Sequence, residues 1–347
     1  MYILLAIASV AFLIVVHEGG HYFVARWCQM RIERFSVGFG PGILKKKSKT
    51  TGTTFQLAPI PFGGFVEIRG MNIAEEVDPD DKHAYPNRPA WQRFVTIFAG
   101  PATNYLSAIV LMMLVYSFHG VDEPRWYGVD GTLEGFDAHG KLEAGDRILA
   151  VDHVPLVFGE GATLNERINE AKGAPVTVTI ERRGQRSDIV LKPLPNPDKK
   201  GGVLIGVKPQ VQNQIRDVGV VEAAGMALRY PIEETKKIGA MLYGIVFGSE
   251  KMDAGGPIRM VEEFRNAFSA GLVHGIYLLA GLSVYLGLFN LLPIPALDGG
   301  RLVFLGYELI TRRRANPKIE AMVHMAGIMA LGVLMILVLI VDVRHLF

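Results

Sequence analysis

The segment Tyr2-Ile-Leu-Leu-Ala-Ile-Ala-Ser-Val-Ala-Phe-Leu-Ile-Val-Val-His17-Glu18-Gly-Gly-His21 places a His-Glu-x-x-His pattern inside a long apolar run. Residues four apart share one face of a helix, so His17 and His21 can direct both imidazoles at one Zn²⁺. Glu18 adjoins the first imidazole and can reach water bound to that metal. Polar residues in a potential membrane span are costly unless they have a function. We therefore interpret these three residues as a site rather than as solvated residues at a helix end.

The composition is that of a membrane protein. Apolar residues make up 50% of the chain and charged residues 20%. The formal net charge of +2 excludes a globally basic nucleic-acid-binding protein. Four segments are apolar and long enough to cross a bilayer: Tyr2 to about Trp27, Phe94 to Phe118, Gly271 to Leu292, and Met322 to Val343.

The first apolar segment has an alternative interpretation as a signal peptide, because Ser9-Val10-Ala11 resembles a small-residue cleavage site. No basic residue precedes it, and cleavage would leave the His-Glu-x-x-His pattern at a frayed end, so we favour a span. The single cysteine, Cys28, excludes an internal disulfide and a cysteine-based metal site. We expect it to be a buried apolar residue.

Basic residues predict the orientation of the spans. The loops after the first and third spans are rich in arginine and lysine, so both are expected to be cytoplasmic. Both termini, and the segment from His119 to Ala270, are then expected outside. His17 and His21 would lie near the cytoplasmic face.

A third ligand is needed, because two histidines do not complete a catalytic zinc site. The first and third spans run in the same direction, so residues leaving the third span reach the same face as His21. There the chain reads Asn290-Leu-Leu-Pro-Ile-Pro-Ala-Leu-Asp298-Gly-Gly, with Asp298 as the candidate ligand and a turn aspartate as its alternative role. Glu308 is the candidate ligand if the site instead uses a glutamate.

These two motifs resemble the site-2 protease family of intramembrane zinc metalloproteases. The resemblance implies that His17, His21 and Asp298 bind zinc and that Glu18 is the general base. It also makes Asn290 a candidate donor to the oxyanion, with pinning of the broken helix as its alternative role. Further segments resemble the bacterial regulator-of-sigma-E protease branch: Phe35-Ser-Val-Gly-Phe-Gly40, Pro61-Phe-Gly-Gly-Phe-Val66, Gly100-Pro-Ala-Thr-Asn104 and Gly255-Gly-Pro257.

A β-like region lies between the first two spans. The segments 35–40 and 53–58 alternate on either side of a lysine-rich tip, which predicts β-strands. The resemblance implies that they form a hairpin that re-enters the membrane, where non-helical backbone is tolerated beside protein or a wet cavity. We expect it to bind substrate as an exposed edge strand, with glycines that permit close backbone approach. The candidate substrate-binding residues are Val37, Gly38, Phe39 and Gly40.

The long segment between the second and third spans contains a folded domain. Gly140-Lys-Leu-Glu-Ala-Gly145-Asp146-Arg-Ile-Leu-Ala-Val-Asp152 resembles the bacterial PDZ signature, and we expect its glycines and Asp146 to be structural. A hairpin is predicted from Pro175 to Leu191, turning at Arg183-Gly184. PDZ domains can bind peptides as an added strand, but the family resemblance favours a domain that filters substrates by size over the active site.

The sequence also predicts the roles of a helix before the third span and of a histidine in the fourth span. Residues 221–247 are expected to form a helix that lies on the outer membrane face or packs on the folded domain. His324, inside the fourth span, is expected to make an interhelical hydrogen bond rather than to bind metal.

The predicted fold is a polytopic α-helical membrane protein with four transmembrane helices, a membrane re-entrant β-hairpin and an inserted extracytoplasmic PDZ domain. The resemblance implies a zinc endopeptidase of the bacterial inner membrane that cuts transmembrane segments of single-pass proteins, namely anti-sigma factors already cut outside or remnant signal peptides. The alternatives are a non-catalytic PDZ-bearing membrane scaffold and a membrane-anchored zincin with a glutamate as third ligand, and no nucleic-acid partner is expected. The predicted segments are transmembrane helices at 1–30, 94–118, 271–293 and 320–343, the β region at 31–70, cytoplasmic loops at 71–93 and 294–319, the PDZ domain at 119–195, and a linker with an amphipathic helix at 196–270.

Overall fold

The computed structural model describes residues 2–72, 75–157, 163–196, 202–248 and 256–344. The chain forms two compact units, and each is described by itself. Unit 1 comprises Met1–Phe118 and Gly219–Phe347, and unit 2 comprises His119–Val218. Unit 2 is thus inserted between the two parts of unit 1 and ends at Val218, whereas the sequence predicted a domain that ends at residue 195.

The described helices follow the apolar pattern of the sequence. Four of them are long and apolar enough to span a membrane, as predicted: Leu4–Trp27, Ala90–Phe118, Leu272–Leu291 and Pro317–Val338. The second begins before the predicted Phe94, directly after Pro89, and the fourth begins at a proline, which is favoured in a first helical turn. The helices are α1 (Tyr2–Trp27), α2 (Ala90–Phe118), α3 (Leu164–Glu170), α4 (Val220–Val246), α5 (Pro257–Ala270), α6 (Leu272–Leu291), α7 (Asp298–Thr311) and α8 (Pro317–Arg344).

Helices α1 and α2 approach closely because small residues line their contact. A Cβ atom on Gly20 would lie 2.3 Å from the Ala99 carbonyl oxygen. The Thr103 hydroxyl donates a hydrogen bond to the Val16 carbonyl at 2.9 Å. Small residues and hydroxyl hydrogen bonds are typical of packed membrane helices. This contact holds the His-Glu-x-x-His turn against α2.

The β region of unit 1 is a four-stranded sheet with the order β2-β3-β1-β4. Strand β1 pairs with β3 in parallel and with β4 in antiparallel orientation, and β2 and β3 form the antiparallel hairpin with the lysine-rich tip. The strands are β1 (Ile32–Phe39), β2 (Leu44–Lys47), β3 (Thr54–Leu57) and β4 (Ile60–Ile68).

This order corrects the predicted hairpin. The segments around Phe35 and Phe55 do lie side by side, but in parallel, because β2 carries the chain back before β3 begins. Val37 pairs with Leu57 on one side and Gly64 on the other, so β1 is an inner strand and not the expected edge. The free edge next to β1 belongs to β4. Alternation defines the two faces of a strand but does not define its neighbours.

Helix α4 packs against α2 and α6 within unit 1. Its buried residues include Ala223 and Ala227, and the hydroxyls of Tyr105 and Thr235 lie 2.9 Å apart. The predicted helix at 221–247 is therefore confirmed. The structure shows that α2 and α6 cover its buried face, and its position at the outer membrane face or on the folded domain stays a prediction.

Unit 2 is built on a six-stranded sheet with the order β12-β5-β6-β8-β9 and with β7 paired to β6. The predicted hairpin is confirmed as β8 and β9, which turn at Arg183 and Gly184 with positive φ angles of 52° and 80°. Helix α3 begins with a capping box between Thr163 and Glu166. The strands are β5 (Val121–Thr132), β6 (Arg147–Val151), β7 (Val154–Pro155), β8 (Val176–Arg182), β9 (Gln185–Leu191), β10 (Leu194–Pro195), β11 (Val203–Leu204) and β12 (Val207–Arg216).

Unit 2 extends past the predicted boundary because β12 pairs with β5 along its whole length. Strands β10 and β11 pair across the segment predicted as a linker, of which 197–201 lie outside the described residues. The carboxylate of Asp146 is buried and accepts hydrogen bonds from Arg182 and from the Glu143 N–H. Asp146 therefore connects the turn at Glu143 to β8, as expected of a structural residue.

Candidate metal centre

Helix α1 and the start of α7 bring three ligand atoms together. His17 Nε2 and His21 Nε2 each lie 3.2 Å from Asp298 Oδ2 and 3.3 Å from each other. Within the described residues, this group alone among clusters of histidine, cysteine and acidic side chains could hold a metal ion. The three predicted ligands thus meet, although Asp298 is 277 positions after His21 in the chain.

The turn before α7 positions Asp298. The chain leaves α6 and folds back through Ala296, whose φ is 76°. A Cβ on Gly299 would lie 2.0 Å from the Leu292 carbonyl oxygen, and one on Gly300 would lie 2.6 Å from that of Ile294. The Leu-Asp-Gly-Gly sequence is therefore needed here because the helix start packs directly on backbone oxygens.

The geometry of the three atoms fits zinc. Ligand atoms about 2.0 Å from a tetrahedral centre are about 3.3 Å apart, close to the separations found here. Asp298 Oδ2 is buried without a hydrogen-bond partner among the described residues. Three electron-rich atoms this close repel one another unless a cation lies between them. A Cβ on Gly100 would lie 2.2 Å from His21 Nε2, so a glycine of α2 leaves the necessary space.

The second ring nitrogens of both histidines are held by α2. His21 Nδ1 lies 2.8 Å from the Thr96 carbonyl oxygen and donates to it, which leaves Nε2 free for the metal. His17 Nδ1 lies 3.1 Å from Nδ2 of the buried Asn104 side chain, whose Oδ1 has no partner among the described residues. When His17 Nε2 binds metal, Nδ1 carries a proton and needs an acceptor. Turning the Asn104 amide supplies that acceptor.

Thr96, Gly100 and Asn104 were missed as site residues from the sequence. Gly100 and Asn104 belong to the segment Gly100-Pro-Ala-Thr-Asn104, which was noted as a motif without a role. Their spacing of four, like that of His17 and His21, puts them on one helix face, which was the available signal.

Glu18 faces a cavity of about 730 Å³ beside the ligands. The side chain is buried, and the backbone of Val66 in β4 is hydrogen-bonded to its carboxylate. Gly64 lies close by, since a Cβ there would be 3.2 Å from Glu18 Cγ. Glu18 can therefore act on a molecule held between the metal and β4.

Asn290 also lines this cavity. Its Nδ2 donates to the Leu286 carbonyl at 2.9 Å, one turn earlier in α6. The side chain thus pins the end of the helix, which was its alternative role. One N–H of the amide is not used by that bond, so a donor role stays a prediction.

The four residues predicted to bind substrate have different surroundings. Phe39 lines the cavity, whereas Val37 is paired on both sides within the sheet. Gly38 has a φ of 90°, and a Cβ there would lie 2.7 Å from the Ala58 carbonyl oxygen, so its close approach is to its own chain. Gly40 also has a positive φ, of 104°. The wall beside the metal is formed instead by Gly63, Gly64, Phe65 and Val66 of β4.

The alternative ligand and the other candidate polar residues have structural partners. Glu308 pairs with the buried Arg93 and is not part of the metal group. His324 Nδ1 accepts a hydrogen bond from the Ala296 N–H, so the expected bond is made to the turn before α7 rather than to a helix. Cys28 is buried, as expected, and burial raises the pKa of its thiol.

Comparison with known proteins agrees with this geometry. Residues 5–335 match the family model described as peptidase family M50. A provisionally named zinc metalloprotease of Fusobacterium nucleatum is 29% identical over all of both chains. Similarly named proteins of Brucella suis and Rickettsia conorii are 32% and 30% identical, over 86% and 98% of this chain and 83% and 98% of theirs. With its His-His-Asp zinc site and four apolar helices, the chain belongs to peptidase family M50, the site-2 protease family, and is a membrane zinc metalloprotease.

Proposed function

We propose that this metalloprotease cuts peptide bonds within transmembrane segments of single-pass proteins. The observation that carries the proposal is the position of the zinc ligands in the apolar helix α1. The cavity beside them is bordered by apolar residues of all four candidate spans: Ile14 of α1, Ile97 of α2, Leu286 of α6, and Leu331 and Met335 of α8. A bond brought to this site would come from an apolar segment, not from a soluble loop.

The residues around the cavity divide the hydrolytic chemistry among them. Zinc, when bound, polarises the substrate carbonyl and lowers the pKa of water to about 7. Glu18 takes the proton from the attacking water and transfers it to the leaving amide nitrogen. Asn290 directs its unused N–H toward the carbonyl oxygen as negative charge develops. Thr96 and Asn104 keep the imidazoles oriented throughout.

Strand β4 supplies partners for an unwound substrate. A helical peptide hides its carbonyls in hydrogen bonds, so the segment must become extended before it can be cut. Unpaired backbone groups cost several kcal/mol each in an apolar environment. The outer edge of β4 borders the cavity from Gly63 to Val66, and the Val66 backbone is already hydrogen-bonded to Glu18. The remaining backbone groups of this edge can pair with an extended chain, which moves the proposed substrate-binding strand from β1 to β4.

We infer the cellular setting from the basic loops and the motifs. Lysine-rich and arginine-rich loops after α1 and α7 favour a cytoplasmic active-site face in a bacterial inner membrane, with unit 2 outside. The segments resembling the regulator-of-sigma-E protease branch favour regulated intramembrane proteolysis, with unit 2 acting as a PDZ-type filter against substrates that still carry a large external domain. Anti-sigma factors after a first external cut and remnant signal peptides are the proposed substrates.

The test uses the full chain in detergent and a panel of single-span proteins with identical flanks. Mass spectrometry should map the cuts inside the apolar segments, and substrates with Gly or Pro near the cut should be processed faster than Leu-rich ones. A zinc chelator and the Glu18→Gln variant are the controls. Cuts confined to the soluble flanks, or no zinc-dependent cut in any member of the panel, would contradict the proposal.

A further inference from the structure

A second cavity of about 380 Å³ lies in unit 1 next to the cavity that borders the zinc ligands, which is called the metal cavity below. It lies among the end of β4, the turn after it, α7 and the start of α8. The two cavities share part of their walls, formed by Phe65, Ile68, Met71 and Arg301. A chain that occupies the metal cavity can therefore continue into the second one.

The path of β4 defines which part of a chain would enter. Gly64 lies beside Ile14 and Glu18, in the middle of α1. Ile68 packs in a buried cluster with Ala25 and Met30, at the C-terminal end of α1. At about 3.3 Å per residue, a strand paired with β4 would reach the second cavity roughly three to six residues from the bond at the metal.

In the second cavity, carboxylates are paired with cations more completely than two of the arginines are paired with anions. Its carboxylates on β4 and the following turn each have a cationic partner, because Glu67 pairs with Arg34 and Glu75 lies 4.0 Å from Arg69. Arg301 has no ion-pair or hydrogen-bond partner among the described residues. Arg314 is bonded there to the Pro86 carbonyl alone.

Further polar groups in this cavity also favour the binding of an anion. Arg93 is neutralised by Glu308, so Arg301 and Arg314 face one remaining carboxylate, that of Glu320. His324 Nε2 is buried without a partner among the described residues. Burial raises the pKa of Tyr85 to about 12, so its hydroxyl keeps its proton. The cavity therefore offers positive charge and hydrogen-bond donors beside the metal site.

We propose that this second cavity binds an acidic side chain of the substrate, three to six residues from the cleaved bond on the side of the C-terminal end of α1, with Arg301 as the main determinant. A guanidinium binds a carboxylate through two parallel hydrogen bonds, which lysine cannot do. The inference rests on the proposed function only in that the occupant is its substrate. It adds a charge preference that the zinc site alone does not require.

The test measures binding on a protein that cannot cut. The full-length Glu18→Gln protein, loaded with zinc in detergent, is titrated with fluorescent single-span peptides in which one Glu, Gln or Lys is moved stepwise along each flank. At one or two positions we expect the Glu peptide to bind about fivefold tighter than the Gln peptide, and the Lys peptide to bind more weakly than both. Arg301→Gln should bring the Glu-to-Gln ratio to about one. Arg301→Glu should reverse the preference toward Lys.

Arg313→Gln is the matched control, since this arginine is exposed in the same loop as Arg314 and lines neither cavity. It should keep the full preference. A ratio near one at every position, no binding by any peptide, or an equal loss for all peptides in Arg301→Gln would overturn the inference. The last result would point to a structural role of Arg301. Absence of cleavage by the wild-type chain would refute the proposed function without altering these ratios.

Discussion

Replacing Gly100 by alanine should destroy the zinc site by adding one methyl group. The new Cβ would lie 2.2 Å from His21 Nε2 and 2.9 Å from His17 Cε1. An ordinary contact is about 3.5 Å, so the His21 ring would have to move by roughly 1.3 Å. Metal–ligand distances tolerate changes of only about 0.2 Å.

The imidazole cannot yield easily, because His21 Nδ1 is bonded to the Thr96 carbonyl at 2.8 Å. The alternative is to separate α1 from α2, and overpacking of this kind costs about 1–3 kcal/mol. Either response pulls a ligand away from the metal. Removal of a supporting partner alone lowers metal affinity about 10- to 100-fold, so we expect a loss of at least about a hundredfold.

The assay combines zinc quantification of the purified protein with competition against a chromophoric chelator. Gly19→Ala, within the His-Glu-x-x-His turn, is the matched control, since its Cβ would meet only Phe23, at 3.9 Å. It should retain zinc, and removal of a helix-interior glycine should stabilise the fold by about 0.5–1 kcal/mol. A Gly100→Ala protein that binds zinc as tightly as wild type would refute the reasoning about this contact.

Three further predictions follow from other contacts. The carboxylate of Asn104→Asp can only accept a hydrogen bond from His17 Nδ1–H, so this variant should keep zinc affinity within a few fold of wild type. The zinc affinity of Asn104→Leu should fall about 10- to 100-fold. The reverse order of affinities would show that the Asn104 amide donates to His17. Asp298→Ala should lose both zinc and cleavage, whereas Glu308→Gln should keep zinc. If purified Asp298→Ala protein still contained zinc, another residue would have to be the third ligand. Burial favours the neutral form of Asp146, but hydrogen bonds from Arg182 and from the Glu143 N–H outweigh it and lower the pKa of the carboxyl. Its contribution is therefore present above the ordinary pKa of 3.8 and is lost as pH falls through the lower folded value, so thermal unfolding at pH 6 and pH 3 should show a larger acid loss in wild type than in Asp146→Asn.

The helices and the zinc ligands could be predicted from sequence because their signals are local. Apolar length identifies the spans, and a spacing of four puts His17 and His21 on one face. Asp298 is distant in the chain, but the common direction of two spans and the Leu-Asp-Gly motif identified it.

The β region and the support of the site depend on contacts that no local pattern encodes. Asn104 contacts His17 only because α2 presents this face to α1. The periodicity of a helix sequence does not determine which face it turns toward a given neighbour. The inner position of β1 and the pairing of β12 with β5 arise from non-local pairing, so Val37 was assigned to an edge and unit 2 was ended too early.

The most direct test of the central claim separates metal binding from chemistry at Glu18. This side chain lies beside the ligands but is not one of them, and glutamine keeps its shape while removing its ability to take a proton. Zinc content and cleavage of a single-span substrate should be measured on the same preparation of Glu18→Gln. We predict one zinc per chain, as in wild type, with cleavage reduced at least about a thousandfold. Zinc-loaded Glu18→Gln protein that cuts at the wild-type rate would contradict the account.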